Sequence, residues 1–274
     1  MTQSGSGCLF PLSIFGVIFF GFLGFVGLSG FTAESESSRM EVAPPVVRSM
    51  STVEIVFAPG QADVSMADWQ AAQQIVEDRL LALADSGAIT ESFAIGSSSA
   101  EMQFFVEVNE AAMNADEIAE TLTSGGYIEF VDFSAISTGI FDQYLDTSVV
   151  TSASVARSGD EAAGMVFPTV LTHEELGRAV AVIDDFGMSM VEVELTADGQ
   201  ELLRAFSQEN LGNGMAVVLD GVVVTVPVIQ DVIDTPTLVI TANFTYVEAQ
   251  ALAVQINSRP LPVPLSVEAI NLSN

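Results

Sequence analysis

Between Thr52 and Phe133 the spacing of apolar residues changes from a period of two to a period of 3.6 and back, twice over. That alternation restricts the fold more than any other feature of the chain. Thr52–Ala58 (TVEIVFA) alternates as a strand. Ser65–Asp85 carries Trp69, Ala72, Val76, Leu80 and Leu83 at helical spacing behind Ser65 and Asp68, residues suited to a helix N-terminus. Ile89–Ile95 and Glu101–Val108 read as two strands around the turn Gly96-Ser97-Ser98-Ser99. A second helix is predicted over Asn114–Thr123, stopped by Gly125-Gly126, and Tyr127–Phe133 (YIEFVDF) reads as a strand again. The order β-α-β-β-α-β is the ferredoxin-like split arrangement, one antiparallel sheet with both helices on one face. It predicts a base lobe over 51–134, its sheet closed by Tyr127–Phe133.

Residues 135–169 are irregular and read as a connection into a second α+β lobe over 170–274. Thr172–Asp184 (THEELGRAVAVID) opens with a capping-box pattern, Thr172 followed by Glu175, and predicts a helix. Met188–Leu195 alternates as a strand, and Asp198–Asn210 reads as a helix ended at Gly212. In Met215–Val224 the pair Asp220-Gly221 separates two β-branched runs, the strongest short-range hairpin signal in a sequence. Thr237–Thr241 predicts a further strand, Thr245–Asn257 an amphipathic helix, and Pro260–Val267 a final extended segment.

Ahead of both lobes, Leu9–Phe31 is an uncharged run of 23 residues. As a helix it would reach roughly 35 Å, enough to cross a hydrocarbon core, and it is read as a transmembrane anchor behind a short tail of residues 1–8. A cleaved signal peptide is the competing reading, with Gly27-Leu28-Ser29 as the cleavage site, although no basic residue precedes the run. Residues 32–50, with Pro44-Pro45, read as a juxtamembrane linker. Arg39 and Arg48 follow the run, which by the positive-inside rule would put the large domain inside.

The charge balance removes whole function classes. With 36 acidic residues against 7 basic ones, all arginine, the formal charge is −29. Nucleic-acid binding draws on Lys and Arg to neutralise phosphates, so that class is excluded. One Cys and one His leave no disulfide framework and no zinc cluster. His173 would have to serve any Ser-His-Asp site, and its place beside Glu174 and Glu175 reads as a solvated turn. Adjacent acids such as Asp184-Asp185 read as solvated faces, and no calcium-loop pattern occurs. The chain is read as having no enzymatic activity and no cofactor.

From the hairpin onward the sequence resembles the SecD/SecDF protein-export membrane protein family, in its first periplasmic domain with base and head lobes. The residues that carry the resemblance are MAVVLDGVVVTVPVIQDVI (215–233), VITANFTYVEAQALA (239–253) and RPLPVPLSVEAI (259–270), with LTHEELGRAV (171–180) and VEVELTADGQELLRAFSQENLG (191–212) upstream. The similarity covers 170–270 well and 51–133 weakly. It implies an extracytoplasmic, SecD-like domain that binds unfolded exported polypeptide and assists Sec-dependent translocation, with Sec translocon components or a separate multi-helix membrane subunit as partners. The family-motif positions Asp220, Gly221, Pro227, Phe244, Thr245, Leu261 and Pro262 are the implied structural or polypeptide-contact residues. The extracytoplasmic placement conflicts with the arginine count.

Departures from the pattern shape the expectation further. Family members continue past the LPVPL exit into a proton-conducting bundle of membrane helices, whereas this sequence stops at Asn274, and its apolar run holds no ionisable residue. A truncated form acting beside a separate membrane partner is expected. A static scaffold or chaperone-like binding protein, or half of a split SecD, are the alternatives. Val222–Val226 and Val239–Thr241 are read either as edges for an added peptide strand or as interior strands. The acidity is read either as an attraction for basic client segments or as adaptation to salt.

Overall fold

The computed structural model describes residues 52–98, 102–110, 112–159 and 164–273. The uncharged run 9–31 and the linker 32–50 lie outside them. Among the described residues no helix is long and apolar enough to cross a membrane.

The first part of the chain runs β1 (Thr52–Pro59), α1 (Met66–Asp85), β2 (Ile89–Ser98), β3 (Gln103–Glu110) and α2 (Ala115–Thr123). Local chemistry sets both helix starts. Ser65 Oγ accepts from the Asp68 N–H at 3.1 Å. Asn114 caps α2 in a reciprocal box with Glu117. The chain continues with β4 (Ile128–Asp132), a 3-10 turn at Thr138–Gln143, β5 (Val150–Thr151), α3 (Ser152–Ser158), β6 (Val166–Phe167) and β7 (Thr169–Thr172). After a 3-10 turn at His173–Glu175 come β8 (Leu176–Ile183), β9 (Ser189–Leu195), α4 (Ala197–Glu209), β10 (Met215–Leu219), β11 (Val222–Thr225), β12 (Thr237–Phe244), α5 (Tyr246–Asn257) and β13 (Leu265–Ser273).

The base sheet has the order β13-β1-β3-β2, antiparallel throughout. This is the ferredoxin-like order with one substitution. The fourth place belongs to β13, paired with β1 from Thr52↔Ser273 to Pro59↔Leu265, and not to the Tyr127–Phe133 segment. The sequence expectation is corrected here: β4 instead pairs with β10 and β7 in a second sheet, β11-β10-β4-β7. The physical reason is visible in β4 itself, where Ile128, Glu129, Phe130 and Val131 are all buried. Ile128 and Phe130 enter one apolar cluster while Val131 and Phe133 enter another. A strand covered on both faces belongs in the middle of a sandwiched sheet, and the base sheet has helices on one face only.

The base core gathers Val53, Ile55 and Phe57 of β1, Phe104, Val106 and Val108 of β3, and the inner faces of α1 and α2. Trp69 and Phe57 stack on Phe104 at ring separations of 5.1 and 5.0 Å. In the second lobe, the segment after β4 folds over the outer face of its sheet. Phe133 meets Phe167 at 4.5 Å and Tyr144 at 5.3 Å.

A second expectation also changes. Thr172 and Glu175 form the predicted capping box, yet the helix stops after one 3-10 turn and residues 176–183 are strand β8. The cap satisfies the local N–H groups only. Beyond it, Val180, Val182 and Ile183 are β-branched, and pairing with β9 from Leu176↔Leu195 to Ile183↔Ser189 supplies the hydrogen bonds a helix would have made. β8 and β12 flank β9 in a third sheet, β12-β9-β8.

Helix α5 joins the lobes. Ala249, Leu252, Ala253 and Ile256 pack into the second lobe, whereas Val254, with Val247 and Ala251, packs into the base. The predicted amphipathic helix is therefore apolar nearly all round, because it is covered from both sides. Gln250, also buried, donates to the Ser86 carbonyl at 2.6 Å across the junction.

Candidate functional site: the lobe junction and the β8–β9 hairpin

The junction is built around one arginine. Arg79 lies on the α1 stripe that also carries Ile75, Val76, Leu80 and Leu83, and it is fully buried. Its Nη1 donates to the carbonyls of Thr121, Leu122 and Ser124 at 3.1, 3.1 and 2.6 Å, and its Nε donates to Ser258 Oγ at 3.0 Å. The three carbonyls close the C-terminal end of α2, where a positive charge complements the helix dipole. Ser258 caps the C-terminal end of α5. A single side chain thus ties α1 to the ends of two other helices.

Asp220 closes the junction from the other lobe. It sits at the tip of the β10–β11 hairpin with φ of 51°, followed by Gly221 at 82°, the left-handed pair that a tight hairpin turn requires. Its carboxylate accepts from Ser124 Oγ at 2.7 Å, Tyr127 N at 2.9 Å and Gly126 N at 3.2 Å. Its own N–H donates to the Tyr127 carbonyl at 2.9 Å. Burial lowers the Arg79 guanidinium to about 10, with the charge of Asp220 acting in the opposite sense. Gly126 has φ of 79°, and a Cβ there would lie 2.7 Å from Arg79 Nη2. Both the backbone and the space demand glycine.

The seven positions implied by the sequence divide. Asp220, Gly221 and Leu261 come together at the junction, where the Leu261 N–H donates to the Gly125 carbonyl at 2.8 Å and Leu261 is buried in the base core. Pro262 follows it, exposed. Pro227 lies elsewhere, its carbonyl accepting from Met215 N at 2.9 Å. Phe244 and Thr245 stand at the opposite end of α5, where Thr245 forms a capping box with Glu248 and Phe244 packs on the second lobe's core. Arg79 and Ser124 were not singled out by the sequence reading. The available signal was a charged residue on an otherwise apolar helical stripe, three residues after Val76 and one before Leu80.

The second notable feature is the hairpin of β8 and β9. Asp184 Oδ1 accepts from Phe186 N at 2.9 Å and Met188 N at 2.8 Å, and Gly187 N donates to the Asp184 carbonyl at 3.0 Å. The turn is therefore held by its own hydrogen bonds while Phe186 stands 91% exposed. Val180, Ile183 and Met188 are exposed beside it in sequence. β8 is an edge strand. Asn257 bonds the outward-facing N–H and C=O of Ala179, both at 2.8 Å. By the alternation of an antiparallel ladder, the backbone groups of Ala181 and Ile183 face the same open side.

Both strands read as possible edges, Val222–Val226 and Val239–Thr241, lie at sheet edges in β11 and β12. The outer side of β11 is covered by residues 146–149, through Asp146 N to Val223 O at 2.9 Å and Val149 N to Gly221 O at 2.8 Å. Among the described residues no three His, Cys, Asp or Glu side chains are grouped to hold a metal ion.

A two-lobed α+β domain, with one helix shared by both cores and the last strand returned to the first sheet, is the class these features define. Residues 145–263 match the family model described as SecDF, P1 head subdomain. The protein translocase subunit SecD of Dictyoglomus turgidum is 40% identical over 99 residues, which are 36% of this chain and 25% of that protein. SecDF of Thermus thermophilus is 38% identical over 103 residues, 38% of this chain and 14% of that one. These matches span a quarter or less of either relative. Among solved structures, SecDF in a super-membrane-facing form has a TM-score of 0.54 at 24% identity, covering 84% of this chain and 32% of that one. A structure of SecDF described as a membrane component that enhances protein export has a TM-score of 0.53 at 24% identity, covering 80% of this chain and 99% of that one. At that identity the structural likeness establishes the fold. The mixed α/β fold is thus similar to that of a SecDF periplasmic domain.

Proposed function

We propose that this protein is a membrane-anchored, extracytoplasmic polypeptide-binding domain that assists translocation beside a separate membrane subunit and without chemistry of its own. The observation that carries the reading is the β8–β9 hairpin, whose self-bonded turn presents Phe186 at 91% exposure next to an open strand edge. An exposed aromatic on an ordered turn binds apolar side chains with little ordering cost, and an adjacent strand edge takes the backbone of an extended chain. Domain limits follow the sequence reading, with a base near 51–134 and a head near 170–274, amended by the passage of β4 to the second sheet and the return of β13 to the base sheet. Asp220, Gly221 and Leu261 serve as junction residues in this reading.

The test combines topology with company. A C-terminal tag and protease treatment of intact cells or spheroplasts report the side of the membrane. A photo-crosslinking residue at position 186 reports the partners. The expected result is an accessible domain crosslinked to channel subunits or unfolded exports, with Phe186→Ser weakening capture of unfolded polypeptide severalfold. A protected domain with no such crosslinks refutes the proposal.

A further inference from the structure

Of the positively charged side chains in this acidic chain, two described arginines are committed to partners within the fold. Arg79 is spent on carbonyls and Ser258 Oγ. Arg157 pairs with Glu129 at 2.6 Å and lies over the Tyr127 ring at 4.3 Å. Three other cationic or titratable bases, His173, Arg178 and Arg259, line a single cleft of about 370 Å³ between the start of β8 and the C-terminal end of α5. No carboxylate lines it, in a chain with 36 acidic residues. Among the described residues none of the three makes an ion pair. Of the two acids that follow His173, Glu174 is exposed, and Glu175 points its carboxylate back onto Thr172, accepting from N at 2.7 Å and Oγ1 at 2.8 Å. The polar neighbours in the cleft are likewise committed: Asn257 to Ala179, and Ser258 to Arg79 and the Gln255 carbonyl.

Two exposed arginines lining one cleft repel each other weakly across water, and an anion held between them relieves that repulsion. A planar guanidinium matches a carboxylate in a forked, two-bond geometry. We infer that this cleft is a carboxylate-binding site for an extended polypeptide, with Arg178 and Arg259 as the binding residues and His173 as a further donor. The source of the carboxylate is an acidic side chain or a free C-terminus. The inference rests on the polypeptide-binding reading above and adds a chemical preference to it. The position fits: Asn257 plugs the β8 edge at Ala179, so a strand added along Ala181 and Ile183 ends beside the cleft. The surrounding charge of −29 repels acidic ligands at long range, so any preference for them must arise locally.

The experiment uses the full chain in detergent and fluorescence anisotropy with one labelled, extended, β-branched peptide in four forms: an internal Asp pair or the Asn equivalent, each with a free or an amidated C-terminus. At low salt, the forms carrying a carboxylate are expected to bind roughly tenfold more tightly than the neutral amidated form. The form that gains identifies the source. The gain is expected to vanish in the double variant Arg178→Gln/Arg259→Gln and to persist in Arg204→Gln, an exposed arginine on α4. Equal binding of all four forms overturns the carboxylate site while leaving the polypeptide-binding reading intact. A gain that survives the double variant also overturns it. If no form binds the unsubstituted chain, both readings fall.

Discussion

Replacing Arg79 with Met separates the structural weight of the junction from simple packing. Met fills much of the volume of the arginine stem but donates nothing. Arg79 makes four hydrogen bonds, at 3.0, 3.1, 3.1 and 2.6 Å. At about 1.5–3 kcal/mol for each bond from a charged donor, the gross contribution is about 6–12 kcal/mol. Against it stands the burial that lowers the guanidinium to about 10, a penalty of about 3 kcal/mol on the charged form. The substitution relieves that penalty but leaves the carbonyls of Thr121, Leu122 and Ser124 without their donor at the end of α2. The lost bonds outweigh the relief, and a net destabilisation of about 3–5 kcal/mol is expected, the range for removing one partner of a buried charged network. Urea unfolding of the full chain followed by circular dichroism should then show the midpoint falling by about 1–2 M. Because the folded-state value lies below the unfolded one, the folded chain releases this proton first as pH rises. The contribution of Arg79 is therefore flat up to about pH 9 and becomes more favourable as pH rises past about 10. A midpoint shift smaller than about 0.3 M, or a variant more stable than the parent, refutes the account of the junction.

Other perturbations test separate parts of the same structure. Gly126→Ala forces a Cβ to 2.7 Å from Arg79 Nη2 at a φ of 79°, and a loss of about 1–3 kcal/mol in the same unfolding assay is expected. Arg157→Gln strands the Glu129 carboxylate, whose side chain is 2% exposed, and should cost about 3–5 kcal/mol. Adding Glu129→Gln to that variant should restore most of the loss, since the buried charge is then gone; failure to recover would place the cost in the Arg157–Tyr127 contact instead. With a net charge of −29, raising NaCl from about 0.05 to about 1 M should raise Tm by several degrees in a thermal melt, and a fall would contradict self-repulsion as a destabilising force.

The elements readable from sequence were those whose signals are local. Ser65 caps α1 as its place at the helix start predicts, and the helices read from Asn114 and Thr245 are capped by those residues. The Asp220-Gly221 turn also forms, because a two-residue turn between β-branched runs is decided by the φ angles its own residues tolerate. Thr172 and Glu175 show the limit of such signals. Their capping box forms, but it controls one turn, and the choice of strand over helix for 176–183 was made by β9 pairing across it. In the candidate site the same division holds. Asp220 stood out by its turn, while Arg79 sat unremarked on an apolar stripe, because its partners Ser124 and Ser258 lie 45 and 179 positions away.

From its residues alone this chain determined its α+β class, the positions of most helices and turns, and the head-lobe pattern that residues 145–263 share with SecDF. Only the tertiary structure decided which strand completes the base sheet, that α5 is buried from two sides, and that Arg79 and Asp220 meet around the 124–127 segment. Strand periodicity records that a residue faces a core and caps record where a helix begins. Neither records which of two cores will claim a strand, since the segments of β4 and β13 both read simply as extended. That choice depends on what covers each face once the whole chain is packed.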